Sequence, residues 1–361
     1  MTLPLRPPYP PMDALAVEQI PSGAEWRYEP KWDGFRCLIF RDGKSIMLQS
    51  KSGRPMTRYF PELVAAIGAL APSRFILDGE IVVPDGDGFS FDALLQRIHP
   101  AASRIRKLST QTPALLILFD ILLEDRKLLI GRPLDERRSD LERFFVRYAQ
   151  RAERLRLSPS STSADQARRW LRQSGGALDG VIAKRRDFAY RSGTRSSMQK
   201  IKNLRSADCV VGGFRFNEGS PLVGSLLLGL YGDDGLLHHV GFTAAIKRED
   251  KAALTRKLKA LIGPPGFTGN APGGPSRWST RRSATWTPLK PKLVVEVCYD
   301  HFSGDRFRHG TRILRWRPDK APRQCTFDQV KPKKAQMMAL LDRHRATRGA
   351  RVVSRTGANR L

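Results

Sequence analysis

The chain changes texture at Lys202, and that change restricts it to architectures with two separate cores. Between Trp26 and Lys202, strand-like runs alternate with amphipathic helical stretches, the pattern of an α+β domain. FRCLIF and SIMLQS flank Arg41-Asp42-Gly43-Lys44, whose Asp-Gly signal predicts a hairpin. Residues 61–70 and 134–150 read as helices, the second entered through Pro133; Ser163 caps a third that ends near Gly175-Gly176. After Lys202 come ADCVVGGFRF, SLLLGLYG, LLHHVGF, KLVVEVCYD and ILRWRP, short β-rich runs separated by Gly, Asp and Ser turns. A helix-like stretch over 248–262 and a Gly/Pro-rich loop over 263–279 interrupt them. Five strands and one helix fit a small barrel of OB type, with a sandwich as the alternative. The expected domains are therefore 1–203 and 204–330, followed by a basic tail over 331–361 that holds nine Lys/Arg against the single acid Asp342.

Composition narrows the function classes. A length of 361 residues suits two domains, and 40% hydrophobic residues supply cores for both. No apolar run is long enough to span a bilayer, and the opening MTLPLRPPYPPMDAL lacks the apolar stretch of a signal peptide, so a cytoplasmic protein with no membrane partner is expected. Cys37, Cys209, Cys298 and Cys325 form no C-x-x-C pair, which argues against a zinc module and against a disulfide framework. A net charge of +28 favours a polyanion such as nucleic acid through counterion release, without separating an enzyme from a passive binder.

The chemistry lies in an ordered series of short motifs. Glu29-Pro30-Lys31-Trp32-Asp33-Gly34-Phe35-Arg36 sets a lysine ahead of a strand, and such an amine is a nucleophile only where its surroundings depress its pKa. Leu77-Asp78-Gly79-Glu80 and Leu118-Phe119-Asp120 place acids at what read as the ends of apolar strands. Asp179-Gly180-Val181-Ile182-Ala183-Lys184 brackets another apolar run, and Met198-Gln199-Lys200-Ile201-Lys202 puts two lysines on one face of a strand. Arg317-Pro318-Asp319-Lys320 closes the second domain. Each motif alone is an ordinary turn or strand edge. Together they offer an amine, carboxylates for a divalent metal, an aromatic for a base, and lysines for phosphate, the needs of nucleotidyl transfer to lysine.

The set resembles the covalent nucleotidyltransferase superfamily, whose K-x-D-G-x-R motif Lys31–Arg36 matches in full. The resemblance runs from Trp26 to Thr326, and RFRHGTRILRWRPDKAPRQCT is most similar to the small bacterial C-type ATP-dependent DNA ligases, with the ligase module of D-type end-joining enzymes as the next neighbour. It implies an adenylation domain followed by an OB-fold domain, and nick sealing through a lysyl-AMP and a DNA-adenylate. By the same resemblance Lys31, Asp33, Lys200 and Lys202 are catalytic: Lys31 carries the AMP, and Lys200 and Lys202 grip the α-phosphate. Glu29 lies beside the adenine, Arg36 meets the ribose and later the DNA end, and Arg54 meets nucleotide and DNA phosphate. Phe119 and Ile182 sandwich the base, Lys184 joins the nucleotide-binding set, and Glu80 binds ribose or metal. Asp179 helps Glu80 hold Mg²⁺ or Mn²⁺, while Arg317, Asp319 and Lys320 orient the pyrophosphate of ATP.

Two residues depart from the family pattern: Asp179 stands where glutamate is usual, and Met198 where tryptophan is usual. The implied substrate is nicked double-stranded DNA, the implied partners are a repair polymerase or end-joining factors, and a monomer suffices. Two rivals remain at this level. A GTP-using capping enzyme or an RNA ligase would share Lys31, and a DNA-end-binding protein would not use it.

Overall fold

The computed structural model describes residues 2–173, 178–273, 285–331 and 337–341. It divides into two compact units, one formed by 1–203 with 332–361 and the other by 204–331. The helix end at Gly175-Gly176, most of the second half of the Gly/Pro-rich loop and the tail beyond Leu341 lie outside the described residues.

The first unit is built on two sheets. One runs in the order Leu15–Val17, Met198–Lys202, Gly180–Arg185, Trp26–Lys31. The other runs Leu155–Leu157, Leu115–Glu124, Arg74–Val82, Phe35–Asp42, Ser45–Ser50. Alternation along each strand decides which face meets which layer. In Phe35–Asp42, Cys37 and Ile39 pack with Phe60, Leu63 and Phe144 from the helical layer, while Leu38 and Phe40 pack with Met198, Tyr190, Met12 and Leu3. In the smaller sheet Tyr28, Val181, Ala183 and Ile201 bury against Ala167 and Trp170 of the helix Ala164–Gln173. Their alternates, Glu29, Lys31, Ile182 and Lys200, therefore face the other way.

The expected hairpin forms, with Gly43 at a φ of 62° in the two-residue turn between Asp42 and Ser45. Ser163 caps its helix through its Oγ, which accepts from the Gln166 N–H at 3.3 Å. The helix expected over 134–150 is α-helical at Leu134–Phe144 and passes into a π turn at Phe145–Ala149. Asp78 and Asp120, read as strand ends, lie inside their strands and directly opposite one another. Two buried carboxylates so placed repel, and each is offset by its own guanidinium: Arg36 donates to Asp78 at 3.0 and 2.7 Å, and Arg137 to Asp120 at 2.9 and 3.0 Å.

In the second unit the five expected strands appear as Arg205–Phe216, Val223–Tyr231, Leu237–Thr243, Val294–Tyr299 and Arg312–Trp316. They pair in the order third, second, first, fourth, fifth. A parallel bridge between Thr243 and Thr311, with the Thr243 Oγ1 donating to the Thr311 carbonyl at 2.8 Å, joins the third strand to the start of the fifth and closes the barrel. This is OB topology, and the sandwich alternative falls away. The helix is Lys251–Lys259, shorter at each end than expected. Only Asn203 and Leu204 separate the strand Met198–Lys202 of the first unit from Arg205–Phe216 of the second.

Inside this barrel His239 is 6% exposed and its Nε2 has no hydrogen-bond partner. Burial, then the nearby Arg306 and Arg215, push its pKa down to about 3 from 6.5. The unfolded chain then takes up a proton that the fold refuses, so the stability is complete above pH 6.5 and is lost as pH falls toward 3. Relative to a His239→Phe variant, the protein should lose about 1.4 kcal/mol per pH unit through that window. Denaturant midpoints measured from pH 7 to 4 check this; parallel curves for the two proteins would refute it.

Candidate active site

Strand register assembles the site. Across the smaller sheet Lys31, Gly180 and Lys202 share one row, and Glu29, Ile182 and Lys200 share the next. Arg27, Lys184 and Met198 form a third. Two glycines are required by close approach. A Cβ on Gly180, at a φ of 155°, would stand 2.0 Å from the Ile201 carbonyl oxygen, and one on Gly34 would stand 2.2 Å from that of Ile81. Gly180 thus keeps three strands in contact where Lys31 and Lys202 emerge, and Gly34 lets the chain turn from Lys31 into the second sheet.

The second sheet supplies the rest. Arg36 and Glu80 are register partners on neighbouring strands. Phe119 is the extra residue of a β-bulge between the Asp78 and Gly79 pairings, and a bulge re-aims its side chain. Glu29, Lys31, Arg36, Glu80, Phe119 and Ile182 line one open cleft. Lys184 and Lys200 line it too. The Arg36 guanidinium lies 5.2 Å and the Lys184 Nζ 4.6 Å from the Phe119 ring centre, so the ring is polarised by two cations. Lys184 also donates to Glu29 Oε2 at 2.8 Å, and Glu29 Oε1 is buried with no hydrogen-bond partner. That oxygen lies 3.8 Å from the Arg138 guanidinium, so the cleft presents a buried, ion-paired carboxylate beside an aromatic face.

The electrostatics favour a nucleophilic amine. Burial, more than anything else, lowers the Lys31 pKa, and Lys202 and Lys200 add to that against the pull of Glu80 and Asp33. Lys31 also forms an ion pair with Asp179. Burial pushes Glu80 up to about 8, more than Lys31 and Arg36 draw it down. A half-buried carboxyl so poorly compensated, close to the charges of Asp33 and Lys31, has room in its charge balance for a divalent cation. Carboxylate oxygens are the donors that Mg²⁺ and Mn²⁺ prefer; Asp33 and Asp179 bring theirs within 4.8 Å of each other, and Glu80 lines the cleft beside Lys31.

Asp33 and Lys202 act on Lys31 electrostatically without forming the cleft wall. The Ser50–Arg54 turn contributes Lys51 to the wall, whereas Arg54 is exposed and is bound through its backbone N–H to Ser50 Oγ. In the second unit Arg317 and Lys320 gather on Asp208, which accepts from Arg317 at 2.9 Å and from Lys320 at 2.7 Å. Arg317 also holds Asp319, whose pKa is lowered to about 2 chiefly by that bond. Sequence reasoning missed Asp208, Asp13, Lys51 and the Tyr190 hydroxyl that donates to Asp78 at 2.6 Å. Lys51 sits beside Arg54 in the Ser50–Arg54 turn, whereas Asp13 and Tyr190 lie outside any motif and are brought together by the fold of the first unit, and Asp208 anchors Arg317 and Lys320 within the second.

Comparison with known proteins gives a consistent result. The model of the ATP dependent DNA ligase domain matches residues 11–202, and that of the ATP dependent DNA ligase C terminal region matches 219–320. DNA ligase C2 of Mycolicibacterium smegmatis is 45% identical over 346 residues, covering 91% of this chain and 96% of that protein. The multifunctional non-homologous end joining DNA repair protein LigD of Mycobacterium tuberculosis is 32% identical over 302 residues, 83% of this chain but 37% of that longer protein. Among solved structures, a Lig E DNA ligase aligns over 85% of this chain and all of its own, with a TM-score of 0.51 at 16% identity, a likeness of fold.

Proposed function

Because the chain belongs to the ATP-dependent DNA ligase family and is similar to C-type ligases over almost its whole length, we propose that the cleft around Lys31 is where it carries AMP. The protein is an enzyme that seals nicks in DNA with ATP by way of a ligase-adenylate. The observation that carries the assignment of the site is the row Lys31–Gly180–Lys202, with the Lys31 amine pKa depressed and Lys200 one row away.

On this reading the neutral Lys31 amine attacks the α-phosphorus of ATP, a P–N bond forming as the bond to pyrophosphate breaks. The AMP then passes to the 5′-phosphate of the nick and frees the amine. The 3′-hydroxyl attacks that phosphate, the phosphodiester forms, and AMP leaves. Lys200 and Lys202 offset charge on the transferring phosphate, Arg36 meets the ribose and later the DNA end, and Asp33 acts on the charge of Lys31. Phe119 and Ile182 enclose the base, with Glu29 and Lys184 at its edge. Glu80 and Asp179 hold a Mg²⁺ or Mn²⁺ ion, which when bound neutralises phosphate charge. Arg54 contacts DNA phosphate, and Arg317, Asp319 and Lys320 of the OB domain orient the pyrophosphate.

The reading extends to organisation and setting. The adenylation domain spans 1–203, the OB domain 204–330, and the basic tail 331–361 adds salt-sensitive affinity for DNA. The substrate is nicked duplex DNA and the setting is cytoplasmic DNA repair, with a repair polymerase or end-joining factors as partners; the likeness to an end-joining repair protein supports this. The enzyme acts as a monomer. Among the described residues no helix is long and apolar enough to cross a membrane.

The metal assignment is tested by adenylation of chelator-treated protein. Added Mg²⁺ or Mn²⁺ should restore label transfer from α-labelled ATP. A Glu80→Gln variant should need roughly 10–100 times more metal for half-maximal transfer. An unchanged metal requirement would remove Glu80 from the metal site.

A further inference from the structure

One acid at the cleft rim has no part in the scheme above. Asp13 lies on the Pro-rich N-terminal segment, and the fold fixes its position without help from its side chain. Leu3, Met12 and Ala14 are buried beside Leu38, Phe40, Tyr190 and Met198. The Asp13 N–H donates to the Thr194 carbonyl at 2.8 Å, and the Met12 N–H donates to the Tyr190 hydroxyl at 3.1 Å.

What that placement presents to the cleft is a single carboxylate among cations. Asp13 Oδ1 accepts from Lys51 Nζ and from the Ala14 N–H, both at 2.8 Å, and Oδ2 accepts from Arg195 Nε at 3.3 Å. Asp13 and Lys51 line the same cleft as Lys31 and Lys200, and Lys200 responds to the charges of Asp13, Lys51 and Arg195. Although burial opposes it, the bonds from Lys51 and Ala14 hold the Asp13 carboxyl down at about 2, so it is an anion at every working pH. Its partners are poorly held: the Lys51 and Arg195 side chains are 54% and 67% exposed. Pairs this exposed are weak and readily exchanged.

We propose that Asp13 is an internal stand-in for substrate phosphate, holding Lys51 and Arg195 at the rim and yielding them to a phosphate group when substrate enters. The inference rests on the ligase reading of the cleft. Its consequence has a definite sign. A fixed anion competes with every phosphate that needs those cations, so it lowers affinity and speeds release. Removing its charge strengthens phosphate binding.

The test uses the full chain carrying Asp13→Asn, which keeps an oxygen for the Ala14 N–H, with Asp13→Glu as the variant that restores the charge. Two phosphates are available, so two arms are run: the KM for ATP in self-adenylation, and the DNA concentration that half-saturates single-turnover sealing by pre-adenylated enzyme. A fall of about three- to tenfold for Asp13→Asn is expected, from the strength of two exposed ion pairs, with Asp13→Glu close to wild type. A fall in the ATP arm assigns the exchange to the nucleotide, and one in the DNA arm to the nick. Values within twofold of wild type in both arms, or raised values, overturn the proposal; raised values would mean that Asp13 serves only to position Lys51. Labelling of Asp13→Asn at saturating ATP keeps the ligase reading intact whichever way the affinities move. A folded variant left unlabelled while wild type is labelled would overturn the proposal alone, and the ligase reading falls only if wild type too stays unlabelled.

Discussion

Replacing Lys31 with alanine abolishes nick sealing, by at least about 10⁴-fold, and leaves binding of nicked DNA in place. The size of the loss follows from the absence of a substitute. Lys200 and Lys202 are the nearest amines in the register, but they project from a strand one place further across the sheet, separated from Lys31 by the Gly180 strand. Positioning of the reacting atoms supplies much of the acceleration, and an amine a strand away does not provide it. Single-turnover sealing of a labelled nick, with a filter-binding measurement on the same preparations, separates the two properties. A variant that still seals at more than about a hundredth of the wild-type rate would remove Lys31 from its role.

The second large effect is on stability. Asp120 and Arg137 form a bidentate pair in which both side chains are at most 2% exposed. Arg137 also donates to the carbonyls of Arg132 and Phe188, so it cannot swing out to solvent without breaking those bonds. Asp120→Ala leaves that charge buried without its counter-ion and should cost about 3–5 kcal/mol of unfolding free energy. Denaturant unfolding with an unchanged slope is the measurement. A loss below about 1 kcal/mol would mean that the guanidinium finds water or another acceptor. The expected consequence for the site is indirect: Asp120 faces Asp78, which holds Arg36, so activity should fall together with stability.

These two acids also show how far the sequence could be read. The motif that contains Lys31 was legible because its residue types are adjacent in the chain, whereas the rows that set Lys31 beside Gly180 and Lys202 appear only in the folded sheet. The barrel was legible for the same reason: five β-rich runs with turns between them leave few ways to close. Asp78 and Asp120 were visible as acids but not as an opposed pair, since register is a property of the whole sheet. The bulge that turns Phe119 into the cleft leaves no mark in local composition. Asp13, Lys51 and Asp208 depend on contacts between residues 38 to 112 positions apart, which no window on the chain can hold together. The π turn after Phe144 carries an ordinary helical pattern, so no residue there foretells it.

The most direct measurement is label transfer with site mapping. The purified protein is first treated with pyrophosphate to remove any AMP it carries, then incubated with α-labelled ATP and Mg²⁺ or Mn²⁺, and the labelled peptide is identified before and after a chase with nicked DNA. The account predicts AMP on Lys31 alone, lost from the protein as the nick is sealed. Label on another residue, label from GTP in preference to ATP, or label that persists while DNA is sealed would contradict it.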